Sequence, residues 1–540
     1  MANATRWPAV EDFPDPTTAD HITYNPSDAE LRGYSSEMET TTAFGAPSYV
    51  SDYRSRSADR TSNAVDVPFG DDDFDTFETA LEWVNDPEND VLCVDRRVGR
   101  HESVSAVCRL FLPKKYGRIA LAWAKLLDPV DGTDGSAHSD PVDGIADPPH
   151  TVEPDFVTVQ LPDATDEPTI RILPDEGLTA VLGSDYTGEA KKSFLRLYMY
   201  RAKQAGGLGL HAGSKRVTLD DEDGPREVGQ LFLGLSGTGK STLTSHGLWL
   251  DEPEGAEMLQ DDVCALLPSG TVAGSEGGGL YIKTLGLDAD EQPELYDAAT
   301  DAGAVLENVA VDGERRPPSA SGTASRPVND DGAVHFDEPR YGRNARAVIR
   351  RDHLESSAKE IDLPRVDQVF FITRNPLMPP IAKLTKTQAA AAFMLGESVE
   401  TSAGDPSRIG ESIRVVGTNP FIVGSKGEEG NRFRELIDDL DLDCFVINTG
   451  VVGTDNPVDV GVEETVAILE GTARGSVEWT EDDSIGLTVP ATIPGVDIDE
   501  FAVEDHVDDF GDAHGDLRAE RRAYLSQFDD LDDEIVGSAY

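Results

Sequence analysis

The chain has 540 residues, 38% of them hydrophobic, and its 102 acidic against 46 basic side chains give a formal net charge of −56. That length predicts several domains, or two large ones with insertions, and leaves enough apolar residues for sizeable cores. So negative a surface repels phosphate backbones and anionic headgroups, which excludes a non-specific nucleic-acid binder and a membrane-surface protein; any nucleotide must occupy a locally positive pocket.

The first fifty residues are rich in Pro, Asp, Thr and Ser, and Arg54, Arg56 and Arg60 then fall in one polar stretch. Regular structure is expected to start near Phe74, with a helix from Phe77 to Trp83 and a strand at 91–95. Apolar segments follow at 103–112 and 119–127. Residues 128–155 repeat Asp-Pro-Val-Asp-Gly at 128 and 140 and predict an exposed acidic insertion. Short strands are expected within 157–181, a helix over 191–205, and a strand over 228–233 that runs into glycines. A second interruption at 315–343 precedes a strand at 366–373, a helix at 389–395, a helix at 433–440, a strand at 444–448 and an acidic, helical tail from Val503. The mixture is α/β or α+β, with no repeat of solenoid length.

Arg outnumbers Lys 33 to 13, so each lysine is informative. Near 1 M salt the Debye length falls to about 3 Å and self-repulsion is screened, which points to a salt-adapted cytosol. Cys93, Cys108, Cys264 and Cys444 form no C-x-x-C pair, so neither a disulfide framework nor a thiolate zinc site is supported. No basic-then-apolar leader and no run of about eighteen apolar residues occurs, so a cytoplasmic protein is expected.

The strongest local signal is Gly234-Leu235-Ser236-Gly237-Thr238-Gly239-Lys240-Ser241, directly after an apolar strand and followed by Thr242. It matches the phosphate-binding P-loop, in which glycines let backbone N–H groups converge on phosphate oxygens, the lysine adds a cation and the hydroxyl can hold a divalent metal. Met258-Leu-Gln-Asp-Asp262 lies where a metal-binding carboxylate is expected; alone it reads better as a solvated acidic strand end. Tyr186-Thr-Gly-Glu-Ala-Lys191-Lys192 puts two lysines near a helix start, where a like-charged neighbour and burial would lower an ammonium pKa; a solvated basic helix start is the alternative. His211 alone is as compatible with a hydrogen-bonded structural role. The arginines at 54, 56 and 60, and at 343, 346, 350 and 351, suit a dianionic substrate or ion pairs with neighbours equally.

Taken in order, these pieces resemble the ATP-utilising phosphoenolpyruvate carboxykinases from about Ser51 to Asp497. The pattern adds Glu276-Gly-Gly, Tyr281-Ile-Lys283, Pro293-Glu-Leu-Tyr296, Leu306-Glu-Asn-Val309, Asn344-Ala-Arg346, Asn448-Thr-Gly450 and Ile493-Pro-Gly-Val-Asp497. The resemblance implies a mixed α+β, two-domain P-loop carboxykinase-like architecture with the active site in the interdomain cleft. The expected divisions are a polar segment 1–50, a substrate-binding domain 51–225, a nucleotide-binding domain 226–502 and an acidic tail 503–540. It implies that Lys192, His211 and Asp262 hold Mn²⁺ and that Ser241 contacts Mg²⁺ on ATP. Arg56, Tyr186, Lys192 and Arg346 would position oxaloacetate or phosphoenolpyruvate, with Lys191 beside them. Lys240, the loop from Gly234 to Thr242 and Arg346 would hold the phosphates, with Gln292 and Arg408 as further nucleotide contacts. Gln292 stands where such enzymes have Glu, Thr187 replaces a glycine, Ser55 replaces the glycine before Arg56, and Gly279-Leu280 adds a residue before Tyr281. The implied reaction decarboxylates oxaloacetate to an enolate, releasing CO₂, and transfers the ATP γ-phosphoryl group to the enolate oxygen in a monomeric enzyme. A protein-serine kinase resembling the HPr kinase group shares the loop but has no need for Lys192, His211, Arg56 and Arg346, and a nucleotide sensor without turnover is the third reading.

Overall fold

In the computed structural model, residues 6–53, 58–130, 152–221, 224–235, 237–312, 332–399 and 412–540 are described. Most of the 128–155 and 315–343 insertions, with Arg54, Arg56, Ser236 and Arg408, lie outside them. The chain forms two compact units, 1–198 with 275–355, and 199–274 with 356–540. This division is not the linear order expected from the sequence: 275–355 belongs with the N-terminal unit, because its strands Gly279–Lys283, Val305–Glu307 and Arg346–Arg350 share a sheet with Pro47–Tyr49 and Thr40–Thr41.

The first unit also holds a seven-stranded mixed sheet, ordered Ile22–Tyr24, Val91–Val98, Ala106–Pro113, Phe156–Leu161, Leu178–Leu182, Thr169–Leu173 and Thr61–Asn63. Helix Asp71–Asn85 covers it with Phe77, Ala80 and Val84, all buried. The helix starts where Asp73 accepts the Gly70 N–H at 2.9 Å, and three aspartates occupy its positive end. Regular structure begins well before Phe74, correcting the expectation: a turn of 3-10 helix spans Val10–Asp12, and helix Asp28–Tyr34 is capped by Ser27 and Glu30. These elements are too short to show periodicity and are held by packing, with Trp7 against Phe69, Phe74 and Phe77.

The second unit is built on an eight-stranded sheet, ordered Gly255–Gln260, Ala212–Asp221, Gly224–Leu233, Gln368–Thr373, Asp443–Asn448, Ile381–Leu384, Leu487–Thr492 and Glu478–Asp482. Its three central strands, Gly224–Leu233, Gln368–Thr373 and Asp443–Asn448, are parallel. Alternation sends Leu231 and Leu233 to one face and Phe232 to the other, where Phe232, Phe370, Phe445 and Trp479 stack in turn at 5.1–5.6 Å. Helix Val462–Arg474 covers the Phe232 face, and helices Lys386–Leu395, Lys426–Asp439 and Phe510–Leu525 cover the other. The result is a three-layer α/β arrangement buried on both faces, which explains strands that read as continuous apolar runs. The segment from Val503 is helical as expected, yet it is part of this core: Leu525, Ile535 and Tyr540 are all buried.

Candidate active site

The glycine loop leaves strand Gly224–Leu233 and enters helix Lys240–Ser245. Gly237 and Gly239 take φ of 87° and 95°, a region an L side chain resists, which makes these two positions glycine. Gly234 is glycine for space: a Cβ would lie 2.6 Å from the Thr238 hydroxyl, which itself donates to Leu235 O at 2.8 Å. Thr449, on the Asn448-Thr-Gly450 turn, donates to Thr238 O at 2.7 Å and braces the loop from the end of strand Asp443–Asn448, two strands away in the sheet. Lys240 is buried, and its Nζ donates to Asp261 O at 2.9 Å and stands 4.0 Å from Asp262 Oδ1. Ser241 and Thr242 are exposed at the helix start.

Beside the loop, His211 Nε2 lies 3.1 Å from Asp262 Oδ1, and Nδ1 lies 2.7 Å from the carbonyl of Thr418. A carbonyl only accepts, so Nδ1 carries a proton towards it, which leaves Nε2 as the nitrogen turned to the carboxylate, the orientation a metal-binding imidazole takes when a cation lies between the two. Thr418 has φ of 52° after Gly417 at 59°, so a backbone turn uncommon for threonine aims that carbonyl. Asp261 Oδ1 is buried without a hydrogen-bond partner. One imidazole nitrogen and carboxylate oxygens suit a divalent ion such as Mn²⁺, and a hydroxyl with a spare carboxylate oxygen beside a phosphate loop suits Mg²⁺. Among the described residues no three His, Cys, Asp or Glu side chains converge on one point.

In the first unit a second constellation is built around two tyrosines. Tyr186 and Tyr281 have ring centroids 6.4 Å apart; the Arg346 guanidinium lies 5.3 Å and Lys191 Nζ 5.4 Å from the Tyr281 ring, and Lys192 Nζ lies 5.8 Å from Tyr186. The expected residues Tyr186, Lys191, Lys192 and Arg346 are thus brought together. Tyr281 OH donates to Glu307 Oε2 at 2.7 Å, while Thr187 donates its N–H and hydroxyl to Oε1 at 3.1 Å each. Thr187 therefore uses its extra hydroxyl in the network. Desolvation pushes the Glu307 pKa up against the pull of Arg118, and burial, then Glu307, push that of Tyr281 up, so Tyr281 stays protonated and donates. Arg118 reaches Asp185 at 2.6 Å, and Asp185 accepts the N–H groups of Asp52 and Tyr53 at 2.9 and 3.0 Å, fixing the chain just ahead of Arg54 and Arg56.

Lys191 is paired with buried Glu276 at 3.1 Å. That carboxylate offsets the Lys191 charge. Gln292 stands at the start of helix Pro293–Ala299, with its N–H on Asp288 O at 2.9 Å. Arg118, Asp185 and Thr418 were missed by sequence reasoning. A lone arginine inside the otherwise apolar helix Gly117–Ala124 was the available signal for the first; the Thr418 carbonyl left none.

A phosphate loop at the end of the parallel strands of a mixed α/β sheet, an imidazole–carboxylate pair beside it and a cation-rich aromatic cluster define a metal-assisted phosphoryl-transfer enzyme. The phosphoenolpyruvate carboxykinase model of the ATP type matches residues 49–499. The chain belongs to the ATP-utilising phosphoenolpyruvate carboxykinase family, carboxy-lyases that use ATP and divalent metal to make phosphoenolpyruvate from oxaloacetate. It is similar to the phosphoenolpyruvate carboxykinase (ATP) of Aeropyrum pernix, 37% identical over 358 residues, 65% of this chain and 67% of that protein. It is also similar to those of Mesorhizobium japonicum and Bradyrhizobium sp., 30% and 29% identical over 325 residues. Each of these matches spans 58% of this chain and 54% of the relative. Among the described residues no helix is long and apolar enough to cross a membrane.

Proposed function

We propose that the chain converts oxaloacetate and ATP to phosphoenolpyruvate, ADP and CO₂, as a monomeric cytoplasmic enzyme of gluconeogenesis. The observation that carries the reading is the orientation of the His211 ring, held by the Thr418 carbonyl so that Nε2 faces Asp262 beside Lys240 of the glycine loop. Lys192, His211 and Asp262 would hold Mn²⁺, and Ser241 with the Asp261 carboxylate would lie on the Mg²⁺ of the nucleotide. Bound there, the cations supply Lewis-acid stabilisation of enolate and phosphate charge.

The remaining work belongs to the chain itself. Arg346, held by Asn344 at 3.2 Å and lying over Tyr281, presents a fork to a carboxylate or phosphate. Arg56 follows the segment pinned by Asp185 and would take the other end of the dicarboxylate. Tyr186 offers a buried aromatic wall. When the C–C bond to the leaving CO₂ breaks, its electron pair forms the enolate, whose oxygen attacks the γ-phosphorus as the bond to ADP breaks. Lys240 and the loop amides would hold the transferring group in line. Gln292 and Arg408 are further nucleotide contacts in this reading, and the N-terminal unit would carry substrate and the other nucleotide.

Titration of the protein with Mn²⁺, followed by electron paramagnetic resonance, tests the metal assignment. His211→Ala and Asp262→Asn are expected to lose more than the about 10–100-fold in affinity that outer-sphere partners command. Wild-type affinity in both variants would refute it.

A further inference from the structure

Several buried arginines of this chain are held by carboxylates. Arg109 pairs with Asp95 at 2.7 Å, Arg118 with Asp185 at 2.6 Å, and Arg414 and Arg521 with Glu397 at 2.7 Å each. Arg374 departs from this. It is half-buried, its Nε is enclosed without a hydrogen-bond partner, and among the described residues no carboxylate pairs with it. Desolvation pushes its pKa down with no neighbouring charge to oppose it. With 102 acidic residues in the chain, a partly desolvated guanidinium without one is a cation kept for something else.

Its place in the fold says what that is. Arg374 follows Thr373, the last residue of strand Gln368–Thr373, which runs parallel to Gly224–Leu233 with Phe371 opposite Leu233. Both strands therefore end at one edge of the sheet, where the glycine loop begins and where open α/β sheets bind ligands. The backbone on either side is fixed. Thr373 O accepts the Thr449 N–H at 3.0 Å, and the Thr449 hydroxyl holds Thr238 of the loop. Asn375 donates to Glu397 at 2.8 Å and its carbonyl accepts from Asn448 at 3.1 Å. Gly450 leaves room for the arginine stem, since a Cβ there would stand 3.1 Å from Arg374 Cβ.

We infer that Arg374 is a phosphate-binding residue, its guanidinium taking oxygens of the polyphosphate chain held by the glycine loop. The inference rests on reading that loop as the ATP site, and the variants separate the two. In calorimetric titrations of the full chain in KCl buffer, Arg374→Gln is expected to weaken ATP and inorganic tripolyphosphate about tenfold or more, with adenosine unchanged and Arg374→Lys in between. Lys240→Ala reports on the loop itself. ATP affinity within about twofold of wild type in Arg374→Gln, with Lys240→Ala weakened, would overturn the role of Arg374 alone. Unchanged affinity in both variants would remove the ATP-site reading and this inference together, and weakened phosphoenolpyruvate with unchanged ATP would assign the guanidinium to the substrate instead. The wild-type protein gives an arm independent of folding: ATP and tripolyphosphate should protect Arg374 from phenylglyoxal, read by peptide mass spectrometry, and equal labelling with and without them would contradict the role.

Discussion

Lys215 shows how one side chain can set a pH dependence. It is completely buried on strand Ala212–Asp221 and donates to the carbonyls of Leu243 and His246, closing the end of the short helix behind the glycine loop. Burial pushes its pKa down to about 7, and its charge helps to push that of His246 down. The unfolded lysine titrates near 10.4, so as pH falls from about 10 to 7 the unfolded state takes up a proton that the folded state does not, and stability is lost. Lys215→Met is expected to flatten that part of the curve; parallel thermal midpoints for both proteins across pH 7–10 would contradict it. Glu397 works in the opposite sense. Despite desolvation, Arg521 and Arg414 hold its pKa down to about 2, so its contribution is full above about pH 4.5 and fades as pH falls through 2. Individual residues were also where the sequence was least legible. Lys191 and Lys192 stood out by type and spacing, and His211 and Asp262 only through the family resemblance, whereas Lys215 and Glu397 looked like any other charge, because burial by distant strands is what makes them unusual.

At the scale of elements, motifs that are local in sequence were readable. The glycine loop follows the expected strand, helices Asp71–Asn85 and Lys386–Leu395 contain the segments expected from periodicity, and helix Thr187–Gln204 covers the expected 191–205 up to its last residue. The N-terminal elements were not readable, since Ile22–Tyr24 and Pro47–Tyr49 are three residues each and exist only by pairing with Val91–Val98 and Val305–Glu307. The C-terminal helices lie beyond the family match at 499, yet Arg521 binds Glu397 on strand Glu397–Val399 and donates to Tyr540 O at 2.6 Å. Removing one partner of a buried ion pair typically costs about 3–5 kcal/mol, because the other charge is left without compensation. Glu397→Ala, which leaves buried Arg521 without its carboxylate, should therefore lower denaturant stability by that order, and Arg521→Ala, after which Arg414 still pairs with Glu397, by less. A loss under about 1 kcal/mol in Glu397→Ala would show that the link from the C-terminal helices is dispensable to this core.

Over the whole molecule, the charge of −56 is the property that sequence reported most directly and the fold changes least. Many surface arginines are already paired with acids, as Arg474 is with Glu254 at 2.6 Å and Arg434 with Asp532 at 2.9 Å, and the excess carboxylates repel one another. Screening shrinks the Debye length from about 10 Å at 0.1 M to about 3 Å at 1 M. Thermal midpoints should thus climb between 0.1 and 2 M KCl, and a flat or falling series would contradict a salt-adapted surface. The discontinuous pairing of 275–355 with the N-terminal unit was invisible in the sequence, since sheet partnership between segments more than 200 residues apart has no local signature. The most direct measurement is coupled turnover in KCl buffer with oxaloacetate, ATP and Mn²⁺, following phosphoenolpyruvate. ATP-dependent product that disappears in Lys192→Met and His211→Ala, with ATP affinity kept within a few fold, is the expected result; no product at any salt concentration from a protein that binds both ATP and Mn²⁺ would contradict the carboxykinase assignment.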